Sequence, residues 1–229
     1  MGREALAREG RARSLESTGE AMGRYTGPKC RLCRREGMKL FLKGARCETE
    51  KCAIARRDYP PGQVSFRRGK PSSFGEGLRE KQKVKRFYGV FEEQFRRYFA
   101  EASRSKGNTG ETLMTLFERR LDNVVTKLGW AASRAEARQL VAHGHVNVGA
   151  KRVNVPSYLV EVGDEVKCRS DDGSRKRVRA RLEETRGRQC PAWITPDNDN
   201  LVGKINALPT RDDVSIPVQE QLIVELLSK

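Results

Sequence analysis

The sequence predicts an α+β fold, with helical segments followed by a small antiparallel sheet. Three observations carry this. Apolar residues recur at helical spacing between Leu78 and Val141. Short alternating segments then run from Val146 to Cys168. Near the start, four cysteines stand at knuckle spacing and mark a small module of their own.

Taken in order, residues 1–21 carry only Met1, Leu6 and Leu15 as large apolar side chains, too few for a core. Met22-Gly23-Arg24-Tyr25 then reads like a second protein start, so 1–21 is a disordered extension or a misassigned start. Residues 22–58 form the cysteine module. Tyr59-Pro60-Pro61-Gly62 is a break, and Val64 to Gly75 reads as a solvated loop. A basic helix is expected over Leu78–Tyr88 and a second over Val90–Ala102, with Phe87, Phe91, Phe95 and Phe99 recurring every four residues as core positions. Leu113, Leu116, Phe117, Leu121, Val124, Val125 and Leu128 make one stripe, predicting one amphipathic helix. Ser133 and Glu136 form a capping box opening a helix through Val141. Strands are expected at Val146–Val148, Arg152–Val155 and Glu165–Cys168, with a turn at Gly149-Ala150. Ser174–Arg186 reads as a polar, basic helix, and Gln219–Leu227 as a helix or strand packing back on the core. Trp130 and Trp193 read as packing residues.

Among 229 residues, 46 Lys and Arg face 30 Asp and Glu, a net charge of +16. The charge is segregated: 22–100 holds 21 basic and 8 acidic residues, whereas 191–229 holds 3 and 6. A solubility device has no reason to segregate in this way, so the expected partner is a polyanion, nucleic acid by default. No apolar run approaches the ~20 residues needed to span a bilayer, and the Arg/Glu-rich start is not an export signal.

Cys30 and Cys33 are a Cys-x-x-Cys pair, followed by Cys47 and Cys52. Four thiolates so spaced suit one structural zinc ion, whose closed shell would fold the module and leave no position for catalysis. Lys29, Arg31, Arg34 and Arg35 would favour the thiolates and offset their charge. Cys168 and Cys190 read as bystanders.

An enzyme is not expected. Two histidines, no nucleophile elbow and no phosphate-cradling glycine loop make a poor catalytic inventory. His143 and His145 could bond phosphates or a 2′-hydroxyl, or simply cap a helix end.

The run Met22-Gly-Arg-Tyr-Thr-Gly-Pro-Lys-Cys-Arg-Leu-Cys-Arg-Arg-Glu-Gly37 resembles the start of bacterial-type small-subunit ribosomal protein four in its zinc-bearing form. Tyr59-Pro-Pro-Gly-Gln63, Leu78-Arg-Glu-Lys-Gln-Lys83, Arg120-Leu-Asp-Asn-Val-Val125, Ser133-Arg-Ala-Glu-Ala-Arg-Gln-Leu-Val141 and Gln221-Leu-Ile-Val-Glu225 match the same family in order. Gly149-Ala150 stands where the family has Asn-Gly. The resemblance implies a mostly helical first domain, comprising the zinc module and a basic helical part over 59–110. It implies an inserted RNA-binding domain over 111–190, of helices packed on the small sheet, and a C-terminal segment over 191–229 that packs back on the first domain.

It further implies direct binding to small-subunit rRNA at a multi-helix junction of the five-prime domain, and early assembly of the subunit body. Small-subunit proteins three, five and twelve are the implied neighbours, mRNA passes close by, and decoding accuracy is affected. The location implied is the small ribosomal subunit in the cytoplasm or an organelle. Carried over by motif, the rRNA contacts are Arg134, Arg138, His143 and His145, with Arg119, Arg120, Lys151 and Arg152. In the first domain they are Arg31, Arg34, Arg35, Arg79, Lys81, Lys83, Lys85 and Arg86; the mRNA path falls to Arg67, Arg68 and Lys70. A competing reading, an RNA-modifying enzyme such as a pseudouridine synthase sharing the RNA-binding module, would need a catalytic domain for which no residues remain.

Overall fold

The computed structural model describes residues 25–63 and 72–228. The expectations for 1–21 and for Arg67, Arg68 and Lys70 lie outside the described residues.

The cysteine module holds α1 (Lys29–Glu36), a 3-10 turn (Gly44–Cys47) and the short α2 (Ala53–Arg56). Helix α3 spans Ser73–Tyr88 and α4 Glu92–Arg104. The first begins five residues before the expected Leu78 because the Ser72 hydroxyl accepts the Gly75 N–H at 3.2 Å and caps it. A left-handed Gly89 ends α3 and resets the helical phase. The aromatic repeat therefore does not share one stripe: Phe87 and Phe95 are buried, Phe99 is half-buried and Phe91 is 47% exposed.

The stripe from Leu113 to Leu128 does not form one helix. It divides into α5 (Thr109–Glu118) and α6 (Leu121–Lys127), with Arg120 extended between them. A break frees backbone groups that need partners. The segment around Pro156–Val160 supplies them: Leu121 N–H donates to Tyr158 O at 2.8 Å, Asp122 N–H to Pro156 O at 3.1 Å, and Val160 N–H to Arg119 O at 3.0 Å.

Helix α7 (Arg134–Ala142) is capped as the sequence predicts, Ser133 Oγ accepting Glu136 N–H at 3.4 Å while the Glu136 carboxylate accepts Ala132 N–H at 2.9 Å. Strands β1 (Val146–Val148), β2 (Lys151–Arg152) and β3 (Glu165–Cys168) precede α8 (Asp172–Glu184), and β4 (Ile194–Asp197) and β5 (Val202–Ile205) follow it. Helix α9 (Glu220–Ser228) ends the described chain. The sheet is antiparallel throughout, in the order β2-β1-β3-β5-β4. Its register pairs Asn147 with Arg152, Val146 with Cys168, and Ile194 with Ile205. Gly149, at φ 59°, supplies the positive dihedral of the β1–β2 turn. Strand β2 is shorter than the expected Arg152–Val155.

Two apolar cores result. The first joins Leu40, Val84, Phe87, Phe95, Leu113 and Phe117 to Ile216 and Ile223. The second joins Leu121, Val125, Trp130, Leu140, Val146 and Val166 to Trp193, Ile194, Leu201 and Ile205. The chain leaves the first core after α5 and returns to it near Val214. Packing thus divides the molecule elsewhere than the expected 111 and 190: α5 belongs to the first core, and β4 and β5 complete the second. A single inward Ile194 in an otherwise exposed β4 leaves no alternation in the sequence to announce that strand.

Candidate nucleic-acid interface

The predicted cations fall into three sets with different fates. The first set lies at the joint between the cores. Arg120 is 1% exposed. It grips Asp122 with both ends of its fork, Nε to Oδ1 at 3.0 Å and Nη2 to Oδ2 at 2.6 Å, and Nη1 donates to Tyr98 Oη at 3.0 Å. Burial alone would lower its pKa, but the Asp122 carboxylate and Tyr98 outweigh burial and raise it. Arg120 is therefore not placed to meet a phosphate. Arg134 donates from Nε to Asn123 Oδ1 at 3.0 Å and lies 3.7 Å over the Phe87 ring; burial pushes its pKa down. Arg138 reaches Asp122 Oδ2 at 3.3 Å. Beside them Glu118 is fully buried, accepting from Tyr88 Oη at 2.6 Å and Asn123 Nδ2 at 2.5 Å, with Lys127 Nζ at 3.8 Å. Arg119 is half-buried, its Nε donating to Val160 O at 2.9 Å.

The second set lies on α3 and in the cysteine module. Lys81 and Lys85 both reach Glu92, at 2.5 and 2.9 Å, and Lys81 is itself buried. Burial would raise the Glu92 pKa, but the two ammonium groups outweigh it and hold it down to about 2. Arg79 and Arg86 close on the buried carboxylate of Glu36, and Lys83 on Glu80 at 2.5 Å. The five predicted α3 cations are thus each engaged by a carboxylate of the protein. Arg34 bonds Tyr59 O at 2.9 Å and stacks 4.7 Å over the Tyr59 ring, whereas Arg31 and Arg35 are exposed.

The third set is presented to solvent around the β1–β2 hairpin and α8. Lys151 and Arg152 are exposed on β2. Arg152 folds over Gly144, where a Cβ would collide with its guanidinium, and donates from Nη2 to His143 O at 3.2 Å. His143 is exposed, with its ring centroid 6.2 Å from that of His145. His145 Nδ1 lies 2.6 Å from Ser174 Oγ, itself fixed by Asp171, while Arg177 stands 3.5 Å from Nε2. Burial and then Arg177 lower the His145 pKa. Arg169 joins them through its N–H to His145 O at 2.9 Å. Arg175, Lys176, Arg177 and Arg179 of α8 are all exposed, and Arg177 reaches His145. Of the predicted contacts, the structure brings together His143, His145 and Arg152, with Lys151 next in the strand. It adds Arg169 and Arg177, which sequence reasoning missed although the basic character of α8 was visible.

Cys30, Cys33, Cys47 and Cys52 line one cavity of about 10 Å³, and none is in a disulfide. The Leu40 N–H donates to the Cys33 sulfur and the Lys43 N–H to that of Cys47. Burial, together with the neighbouring thiols, raises both pKa values. Four thiols lining one small cavity, with amides directed at two, are the donor type a soft cation takes. As they stand, no three His, Cys, Asp or Glu side chains among the described residues close to coordinating geometry. Cys168 and Cys190 are set against the second core, far up from the thiolate range in the case of Cys168, which burial pushes to about 11.

Residues 24–118 match the family described as "Ribosomal protein S4/S9 N-terminal domain", and 119–166 match the "S4 domain". "Small ribosomal subunit protein uS4" of Caldicellulosiruptor saccharolyticus is 59% identical over 208 residues, 91% of this chain and 100% of the relative. The protein so named in Pelobacter propionicus is 56% identical over the same shares. The chain belongs to the uS4 family. As a uS4 member it is a structural protein of the small ribosomal subunit that binds rRNA, and not an enzyme. The family boundary at 118/119 coincides with the break between α5 and α6, where the chain passes from one core to the other. Among the described residues no helix is long and apolar enough to cross a membrane.

Proposed function

We propose that this uS4 protein binds a multi-helix junction in the five-prime domain of small-subunit rRNA and nucleates assembly of the subunit body. The observation that carries the reading is the exposed group of Lys151, Arg152 and Arg177 beside His143 and the half-buried His145, with Arg169 next to them. Each cation that meets a phosphate releases counterions, so affinity falls steeply with salt. Phosphate contacts position and do not specify, so selectivity comes from the shape of the folded junction. Arg31 and Arg35 add contacts from the cysteine module. Neighbouring small-subunit proteins three, five and twelve, passage of mRNA along Arg67, Arg68 and Lys70, and an influence on decoding accuracy complete the proposal, in a cytoplasmic or organelle ribosome.

The decisive experiment is filter binding to the transcribed five-prime domain, with a size-matched structured RNA as control, at two salt concentrations. Strong preference for the rRNA is expected; equal, salt-sensitive binding to both would refute junction recognition.

Cys30, Cys33, Cys47 and Cys52 would hold one structural zinc ion, supported by their shared cavity and the Leu40 and Lys43 amides. The ion would fold the module and supply no chemistry. Replacing Cys30 and Cys33 with Ser is expected to abolish zinc content and loosen the module; undiminished zinc by metal analysis would rule out the tetrathiolate.

A further inference from the structure

We propose that Phe41 is a base-stacking residue whose ring takes the face of an unstacked nucleobase in the bound RNA. The proposal rests on the RNA-binding reading above and adds to it a contact of a different chemistry.

Phe41 has φ 51°, one of two non-glycine residues in the left-handed region among those described, and its side chain is 45% exposed. A solitary exposed phenylalanine is ordinary, and so is a left-handed turn. A bulky side chain in that backbone region is not, because its Cβ crowds the following carbonyl. The turn itself has a clear cause. Leu40 is fully buried in the first core, and Leu42 lines the cysteine cavity. The Leu40 and Lys43 amides are directed at the Cys33 and Cys47 sulfurs, and Gly44 N–H reaches back to Phe41 O at 3.5 Å. The chain is therefore pinned on both sides of residue 41 and must turn there. Glycine would meet that demand with no crowding. The ring serves neither the turn nor a core, since it is directed outward.

What surrounds the ring selects its partner. Between Gly37 and Cys47 the chain carries Lys39, Lys43 and Arg46, all exposed, and no carboxylate. Among the described residues none of the three forms an ion pair, in contrast to the α3 cations, each held by a Glu. An aromatic face flanked by unpaired cations suits stacking on a base whose phosphates run beside it. The loop is also held rigidly: Gly44 packs so closely on Ala132 that a Cβ would stand 2.6 Å from the Ala132 carbonyl oxygen, and Arg188 bridges to Glu48 at 3.6 Å. A ring carried on an anchored backbone loses less freedom on binding than one on a loose loop.

The test uses the full chain and the transcribed five-prime domain, with thermal unfolding measured in parallel. Phe41→Gly removes the ring and relieves the backbone. The expected result is about a tenfold loss of affinity with an unchanged or raised melting temperature, and an unchanged dependence on salt, because stacking releases no counterions. Phe41→Leu keeps apolar bulk and the same backbone demand without a ring, and is expected to lose affinity equally; Phe41→Trp is expected to retain it. Affinity within twofold of the parent for Phe41→Leu would overturn the proposal, whatever Phe41→Gly does to folding. If the parent protein shows no preference for the rRNA fragment, the underlying reading fails. If the parent shows that preference and the affinity of Phe41→Leu for the rRNA fragment stays within twofold of it, only the stacking role fails.

Discussion

The joint between the two cores and the hairpin–α8 face are both built on arginine, with opposite consequences. At the joint, Arg120, Arg134 and Arg138 are drawn inward by Asp122, Asn123 and the Phe87 ring. On the face, Arg152 donates to the His143 carbonyl and Arg177 stands against the His145 ring, and among the described residues neither forms an ion pair. Arg120, gripping Asp122 while it donates to Tyr98, ties the two cores together. A guanidinium that meets no carboxylate is left for a phosphate.

The largest expected effect comes from breaking the joint. Asp122→Ala leaves Arg120 buried without its anion, a loss of about 3–5 kcal/mol, measurable by urea unfolding. The double variant Arg120→Met with Asp122→Leu is expected to recover much of that loss, since a buried pair replaced by apolar volume is often near neutral. A loss under about 1 kcal/mol for Asp122→Ala alone would show the joint to be solvated in solution, and the contrast with the face would collapse.

Next in size is the face. Arg152→Ala combined with Arg177→Ala is expected to change stability by no more than about 0.5 kcal/mol, as for surface positions generally. Its effect falls on RNA binding, where the log–log salt slope should drop by about one for each phosphate contact removed. An unchanged slope would remove these two residues from the interface. Arg134→Ala is expected to behave as a joint variant, losing stability first and affinity only as a consequence.

The sequence made part of this visible. Capping by Ser133 and Glu136, the hairpin turn at Gly149 and the core roles of Trp130 and Trp193 are local and were legible. The break at Arg120 was not, because its backbone partners lie in the Pro156–Val160 segment, far along the chain. Nor could the sequence say which cations are occupied: Arg86 meets Glu36 across a separation of 50 residues. Motif carry-over thus named Arg120 and Lys81, which folding buries, and passed over Arg175, Arg177 and Arg179 of α8, which remain exposed. Helical spacing says which residues share a face; only tertiary pairing says whether a charge on that face is free.

The smallest effect sharpens the comparison on α3, whose cations resemble those of the joint in being paired yet lie nearer the surface. Glu92, held to about pH 2 by Lys81 and Lys85, is below its ordinary 4.5, so it contributes stability above about pH 4.5 that is lost as pH falls toward 2. Glu36 has the opposite sign. Burial raises its pKa despite Arg86 and Arg79, so its contribution is complete below 4.5 and is lost as pH rises through the raised value. Melting temperatures of Glu92→Gln and Glu36→Gln, followed from pH 7 to pH 2.5, should therefore diverge from the parent in opposite directions. The deficit of Glu92→Gln should narrow on acidification and that of Glu36→Gln should widen. Parallel curves would mean that both carboxylates are screened alike, and that α3 belongs with the exposed face and not with the joint.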